Sequence, residues 1–86
     1  MERELENLRN EINCVDDQLF DLLEQRFILS EDIGLYKKEN NLPILDARRE
    51  EEIINKIKKD YHESDHLDSL LKILDLILNE SKNKQK

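Results

Sequence analysis

The sequence predicts an all-α fold, with three helices per chain, one long and two short. Three observations carry this. The 86 residues include one Gly and one Pro, so few positions can punctuate the chain and its elements must be long. Apolar residues recur at alternating spacings of three and four over most of its length, the period of helices packed against helices. Charged residues make up 41% of the chain, well above the usual quarter, and suit helices with solvated outer faces. Disorder is the rival reading of such a composition. It fits poorly, because the apolar residues are periodic rather than sparse.

The first helix is expected over about 2–40. Leu5, Leu8, Ile12, Val15, Leu19 and Leu22, then Leu29, Ile33 and Tyr36, form its stripe. Phe20, Leu23 and Phe27 widen that stripe, as a core-facing helix requires. Gly34 is its one weak point, costing about 1 kcal/mol relative to Ala. Asn40-Asn41-Leu42-Pro43 ends it, since Asn terminates helices well and Pro43 disfavours helix at Leu42. Asp46 is a natural N-cap for a second helix over about 47–61, with Ile53, Ile54 and Ile57 on its buried face. His62-Glu63-Ser64-Asp65 makes a polar break, and Ser64 or Asp65 can cap a third helix over about 66–82. That helix carries Leu67, Leu70, Leu71, Leu74, Ile77 and Leu78. The polar tail from Lys82 to Lys86 is expected to fray. No strand pattern and no internal repeat appears, so residues 1–86 read as a single domain.

Length sets the assembly. A helix of about 38 residues is roughly 57 Å long, whereas a compact chain of this size has a radius of gyration of about 12 Å. Two short helices cannot cover the long one from end to end. A second copy must, and a two-fold, intertwined homodimeric helical bundle is the simplest arrangement. A plain coiled coil is the bland rival, but Pro43 and the two short helices would fold back as a bundle.

The net charge of −7 argues against nucleic acid, whose partners carry a basic footprint. It also makes any inward cluster of Arg and Lys more informative. Cys14 is the single cysteine and cannot form an internal disulfide, which fits a reducing compartment. No apolar run approaches the ~20 residues of a membrane span. The start of the chain lacks the basic and apolar regions of a signal peptide. The cytoplasm is the expected location.

Several charges fall where apolar residues belong. Arg26 occupies an a position in line with Leu19, Leu22, Leu29 and Ile33. A buried, unpaired guanidinium is very costly, so Arg26 snorkels to the surface, pairs with an acidic residue, or faces a cavity that holds an anion. Lys37 favours the cavity. It lies three turns further along the same face, about 16 Å away, and a small ligand with two acidic groups could be gripped between the two cations. On the third helix, continuing the apolar face from Leu74 and Leu78 leads to Ser81 and Gln85. Either that helix has reached solvent, which periodicity alone favours, or these groups line the cavity. Arg49 and Glu50 open the second helix, where Glu suits the helix dipole. Arg48 and Arg49 are adjacent, so at most one of them should face inward. Arg9 lies about 25 Å from Arg26 along the helix. It could not share a compact site with Arg26 of its own chain, but in an antiparallel dimer it could reach the partner's.

The markers Leu8-Arg9, Glu24-Gln25-Arg26, Ile33-Gly34-Leu35-Tyr36-Lys37, Pro43-Ile44-Leu45-Asp46-Ala47-Arg48-Arg49-Glu50, Ser81 and Gln85 form an ordered set. Each short motif is weak alone, and the set is strong. It resembles the all-helical AroQ class (type II) of chorismate mutases, the type found at the head of bifunctional chorismate mutase–prephenate dehydratases. The resemblance covers nearly the whole chain, with a one-residue shortening around His62 to His66. It implies an intertwined dimer of three-helix chains. It also implies the Claisen rearrangement of chorismate to prephenate, a shikimate-pathway step feeding phenylalanine and tyrosine synthesis, with no metal or organic cofactor. Carried over position by position, Arg26 and Arg9 of the partner subunit would bind the two substrate carboxylates, as bidentate guanidinium pairing favours. Lys37 would bind a carboxylate and the ether oxygen, and Gln85 would donate to that oxygen. Glu50 would accept from the ring hydroxyl. Asp46, Arg49 and Ser81 would complete the pocket, and Ile33 and Leu78 would supply apolar walls. The chain departs from the pattern at Lys82, where relatives often carry an apolar residue.

The chemistry fits these residue types. A unimolecular pericyclic reaction needs no nucleophile and no general acid or base. It needs selection of a compact conformer and donors for charge developing on the ether oxygen. Two other functions remain open, an isochorismate-pyruvate lyase of the same fold and a non-catalytic helical dimerisation module. His62 and His66 read as loop residues, and Cys14 as an outward free thiol.

Overall fold

The structure is a computed structural model that describes residues 2–86; Met1, where the expected domain begins, lies outside the described residues. Three helices follow one another, α1 (Glu2–Glu39), α2 (Ala47–Asp60) and α3 (Leu67–Gln85). No strand occurs among the described residues, and no helix there is long and apolar enough to cross a membrane.

Local chemistry fixes the boundaries. At the end of α1, Asn41 takes a left-handed conformation with φ 57°. The Leu42 N–H donates to the Lys37 carbonyl at 2.8 Å and the Asn41 N–H to the Lys38 carbonyl at 3.4 Å. This pair of bonds is a Schellman motif, with Asn in the place usually taken by glycine. Asp46 caps α2, its Oδ1 accepting from the Arg49 N–H at 3.1 Å. The expected caps of α3 are not used. His66 is its N-cap and makes no side-chain cap bond, while the Ser64 hydroxyl accepts from the His66 N–H at 3.0 Å. Ser64 therefore tightens the turn before the helix rather than capping it. The tail expected to fray is helical through Gln85, three residues past the expected end of the helix.

Packing is uneven. α3 packs against α1 and also against α2, whereas the backbones of α2 and α1 do not approach each other closely. The principal extents are 58 × 27 × 15 Å and the radius of gyration is 16.6 Å, well above the ~12 Å of a compact chain of this length. The buried apolar residues are Leu74 and Leu78, with Ser30 and Ser81 buried beside them. Leu5, Leu8, Ile12, Val15, Leu19 and Leu22 form a continuous stripe on the first half of α1 and are each about half exposed or more. The chain alone thus leaves its main apolar face uncovered.

Candidate active site

Equal spacing on two helices builds the site. On α1, Arg26, Ser30, Ile33 and Lys37 stand at i, i+4, i+7 and i+11, and on α3, Leu74, Leu78, Ser81 and Gln85 repeat that spacing. Each set shares one helix face. Where the faces meet, with the N-terminal turns of α2 alongside, they enclose a cavity of about 360 Å³. That lies near the lower end of small-molecule sites, which span roughly 300–1,000 Å³.

Gly34 sets the approach of the two helices. A Cβ built at this position would stand 2.5, 2.6 and 2.9 Å from the O, Cα and C atoms of Gln85. Only glycine lets the end of α3 come this close to α1. The same approach brings Gln85 within reach of Lys37, whose Nζ donates to Gln85 Oε1 at 2.7 Å and to the Ile44 carbonyl at 2.7 Å. One ammonium thereby ties together α1, α3 and the α1–α2 connection. Lys84 Nζ lies 5.8 Å from the centre of the Phe27 ring, a cation–π contact across the same helix pair.

At the other end of the cavity, the Arg26 guanidinium donates to the buried Ser81 hydroxyl. Ser30 donates from its hydroxyl to the Arg26 carbonyl at 3.0 Å, one turn back along the helix. On α2, Glu50 faces Lys82 of α3, with Oε2 3.1 Å from Nζ. Arg49 also lines the cavity. Arg48 points away, its side chain 91% exposed and 3.7 Å from Glu52.

The lining carries four cations, Arg26, Lys37, Arg49 and Lys82, against two carboxylates, Asp46 and Glu50. Burial, and secondarily the charge of Arg49, lowers the Arg26 pKa from its ordinary value, though an arginine remains charged at neutral pH. Like charges held together in a partly desolvated pocket are unfavourable until an anion joins them. Leu29, Ile33, Ile44, Ile53 and Leu78 supply the apolar walls. The site is therefore shaped for a small molecule with an apolar frame and more than one acidic group.

Of the residues singled out in the sequence, the structure brings Arg26, Lys37, Asp46, Arg49, Glu50, Ser81 and Gln85 together in this cavity. Arg9 is exposed on the first half of α1 and does not line it. Arg26 and Ser81 both line the cavity. Arg26 meets a hydroxyl rather than a carboxylate of the chain, and Ser81 is buried rather than solvated. Sequence reasoning missed the Ile44 carbonyl and the Lys82–Glu50 pair. A backbone acceptor leaves no residue-type signal, whereas the pair was foreshadowed by Lys82 breaking the apolar pattern.

Comparison with known proteins gives three findings. The family model described as chorismate mutase type II matches residues 8–86. A bifunctional chorismate mutase/prephenate dehydratase from Aquifex aeolicus (strain VF5) is 44% identical over 54 residues, which is 63% of this chain and 15% of that protein. The chain thus spans a small part of that relative's length. A solved structure of a conserved hypothetical protein from Pyrococcus furiosus superposes with a TM-score of 0.76 at 38% identity, covering 95% of each chain.

Proposed function

The chain belongs to the chorismate mutase type II family, and from that premise we propose that its pocket rearranges chorismate to prephenate. The observation that carries this reading is the set of four cations around one small cavity, in a chain whose net charge is −7. A dianion with an apolar ring answers both features.

In this reading Arg26 holds one carboxylate of the substrate, with bidentate geometry open to its guanidinium. Lys37 holds a carboxylate and stands near the ether oxygen whose bond to carbon breaks. Gln85 donates to that oxygen. Its Oε1 already accepts from Lys37, so Nε2 is the end left to donate. Glu50 accepts from the ring hydroxyl, while Asp46, Arg49 and Ser81 frame the pocket and Ile33 and Leu78 wall it. Two effects accelerate the reaction. Gripping both carboxylates selects the compact conformer in which the new carbon–carbon bond can form. Fixed donors at the ether oxygen stabilise the charge that grows there as the old bond breaks.

The working unit is a homodimer. The exposed stripe from Leu5 to Leu29 needs a cover, and two-fold symmetry supplies one. If α1 pairs with its antiparallel copy about an axis between Asp17 and Gln18, Arg9 of the partner subunit comes level with Arg26. That axis also lies near the centre of the stripe. Arg9 then supplies the second guanidinium of the site. We place the enzyme in the cytoplasm, which its free thiol Cys14 supports.

Product analysis of the purified chain is the test. Prephenate formed from chorismate is expected. Salicylate and pyruvate formed from isochorismate, with chorismate left intact, would instead identify a lyase of the same fold. No turnover of either would leave a helical dimerisation module.

A further inference from the structure

Among the charged residues of the cavity lining, Lys82 alone departs from the family pattern and has been given no individual role above. Lys82 lies next to Ser81 on α3 and reaches Glu50 on α2, with Nζ 3.1 Å from Oε2. Both side chains are about a quarter exposed, 28% for Lys82 and 25% for Glu50. The other ion pairs among the described residues are local: Arg48–Glu52, Arg49–Glu52 and Lys56–Asp60 within α2, and His62–Glu63 in the turn after it. Lys82–Glu50 alone joins two helices.

That placement matters because of how the helices pack. The α2 backbone packs close to α3 and stands off from that of α1, while Arg26 and Lys37 project from α1. The position of the Glu50 carboxylate relative to those cations is therefore set through α3 and through the α1–α2 connection, whose Ile44 carbonyl Lys37 holds. Lys82 is the side chain of α3 that engages that carboxylate. It takes Oε2, leaving Oε1 for another donor. It also sets a cation beside a carboxylate that would otherwise repel an incoming dianion. A partly exposed pair contributes little to folding stability, so a purely structural purpose is a weak explanation for it.

We propose that Lys82 is a positioning residue that holds the Glu50 carboxylate against the cavity wall, aimed at the ring hydroxyl of the substrate. This rests on the reading of the pocket as a chorismate site. Lys82 acts through Glu50 and does not itself grip a substrate carboxylate.

A double-mutant cycle separates the two roles. The variants are Lys82→Met, which keeps most of the stem, Glu50→Gln, and the pair together. Each is assayed with chorismate for kcat and KM, with helicity followed by circular dichroism. Lys82→Met is expected to lower kcat/KM about tenfold in the wild-type background and less than twofold in the Glu50→Gln background. Lys82→Arg, which restores the charge, is expected to stay within about threefold of wild type and covers the case in which Lys82→Met folds poorly. An equal loss in both backgrounds would overturn the proposal in favour of direct contact with substrate. Unchanged activity in Lys82→Met, or a tenfold loss in a well-folded Lys82→Arg, would also overturn it. Failure of the underlying reading is distinct, because the unmodified chain would then leave chorismate unconverted.

Discussion

Replacing Gly34 by Ala sets two effects against each other, and the structure says which one governs activity. In an unconstrained helix interior the change should stabilise by about 1 kcal/mol, because glycine is the poorer helix former. Here the added Cβ would stand 2.5 Å from the Gln85 carbonyl oxygen, and ordinary van der Waals contact begins at 3.4 Å. The clashing atoms are backbone, so no rotamer change relieves them. The end of α3 must retreat by roughly 0.9 Å, which stretches the Lys37–Gln85 bond from 2.7 Å toward an upper limit of about 3.6 Å, past the range of a useful hydrogen bond. Overpacking typically costs about 1–3 kcal/mol, so the propensity gain offsets part or all of it in stability, whereas catalysis has no such offset. Deleting one donor of the oxyanion type typically lowers kcat by about 10²–10³-fold. Displacing Gln85 without deleting it should lower kcat by about 10–10²-fold. The assay is kcat and KM with chorismate, alongside thermal unfolding followed by circular dichroism. Gly34→Ala added to Gln85→Ala should then cost little more. Wild-type kcat in a well-folded Gly34→Ala variant would refute the claim that this crossing places Gln85.

Three further outcomes follow from the proposed site and dimer. Arg9→Ala and Arg26→Ala chains, each inactive alone, should recover about a quarter of wild-type activity when mixed in equal amounts. Half of randomly paired dimers are mixed, and each mixed dimer has one intact site; no recovery after demonstrated subunit exchange would exclude a shared site. Ile12→Glu places a charge in the exposed stripe of α1 and, for the proposed dimer, should shift sedimentation to the monomer with loss of helicity, since a chain with so small a core of its own would depend on a second copy. Ser81→Ala removes the hydroxyl that accepts from Arg26 and should destabilise by about 1 kcal/mol while raising KM less than tenfold, as read by chemical denaturation and steady-state kinetics.

What could be read from the sequence was whatever depends on residues near one another in the chain. The three–four spacing located α1, and Asp46 announced its own cap. The charge anomalies at Arg26 and Lys37 pointed to the cavity because a buried cation is costly wherever it falls. Features set by contact between helices were not legible. Gly34 read as a weak point because its role depends on Gln85, fifty-one residues later. The tail from Lys82 read as fraying because nothing local holds it; Lys37, Glu50 and Phe27 provide the contacts that do. Ser81 looked solvated because the periodicity of a single helix cannot show that Arg26 lies across from it. Ser64 and Asp65 are both capable caps by residue type, but α3 begins after His66, so neither stands at its N-cap.

The central claim is that a cationic pocket with Lys37 at its ether-oxygen end converts chorismate to prephenate. The most direct measurement is the time course of chorismate and prephenate by proton NMR, run on the unmodified chain and on Lys37→Ala at equal concentration. Stoichiometric prephenate is expected from the unmodified chain, with a rate lower by about 10²-fold or more in the variant, as for loss of an oxyanion-type donor. Intact chorismate with the unmodified chain, or equal rates in the two samples, would contradict it.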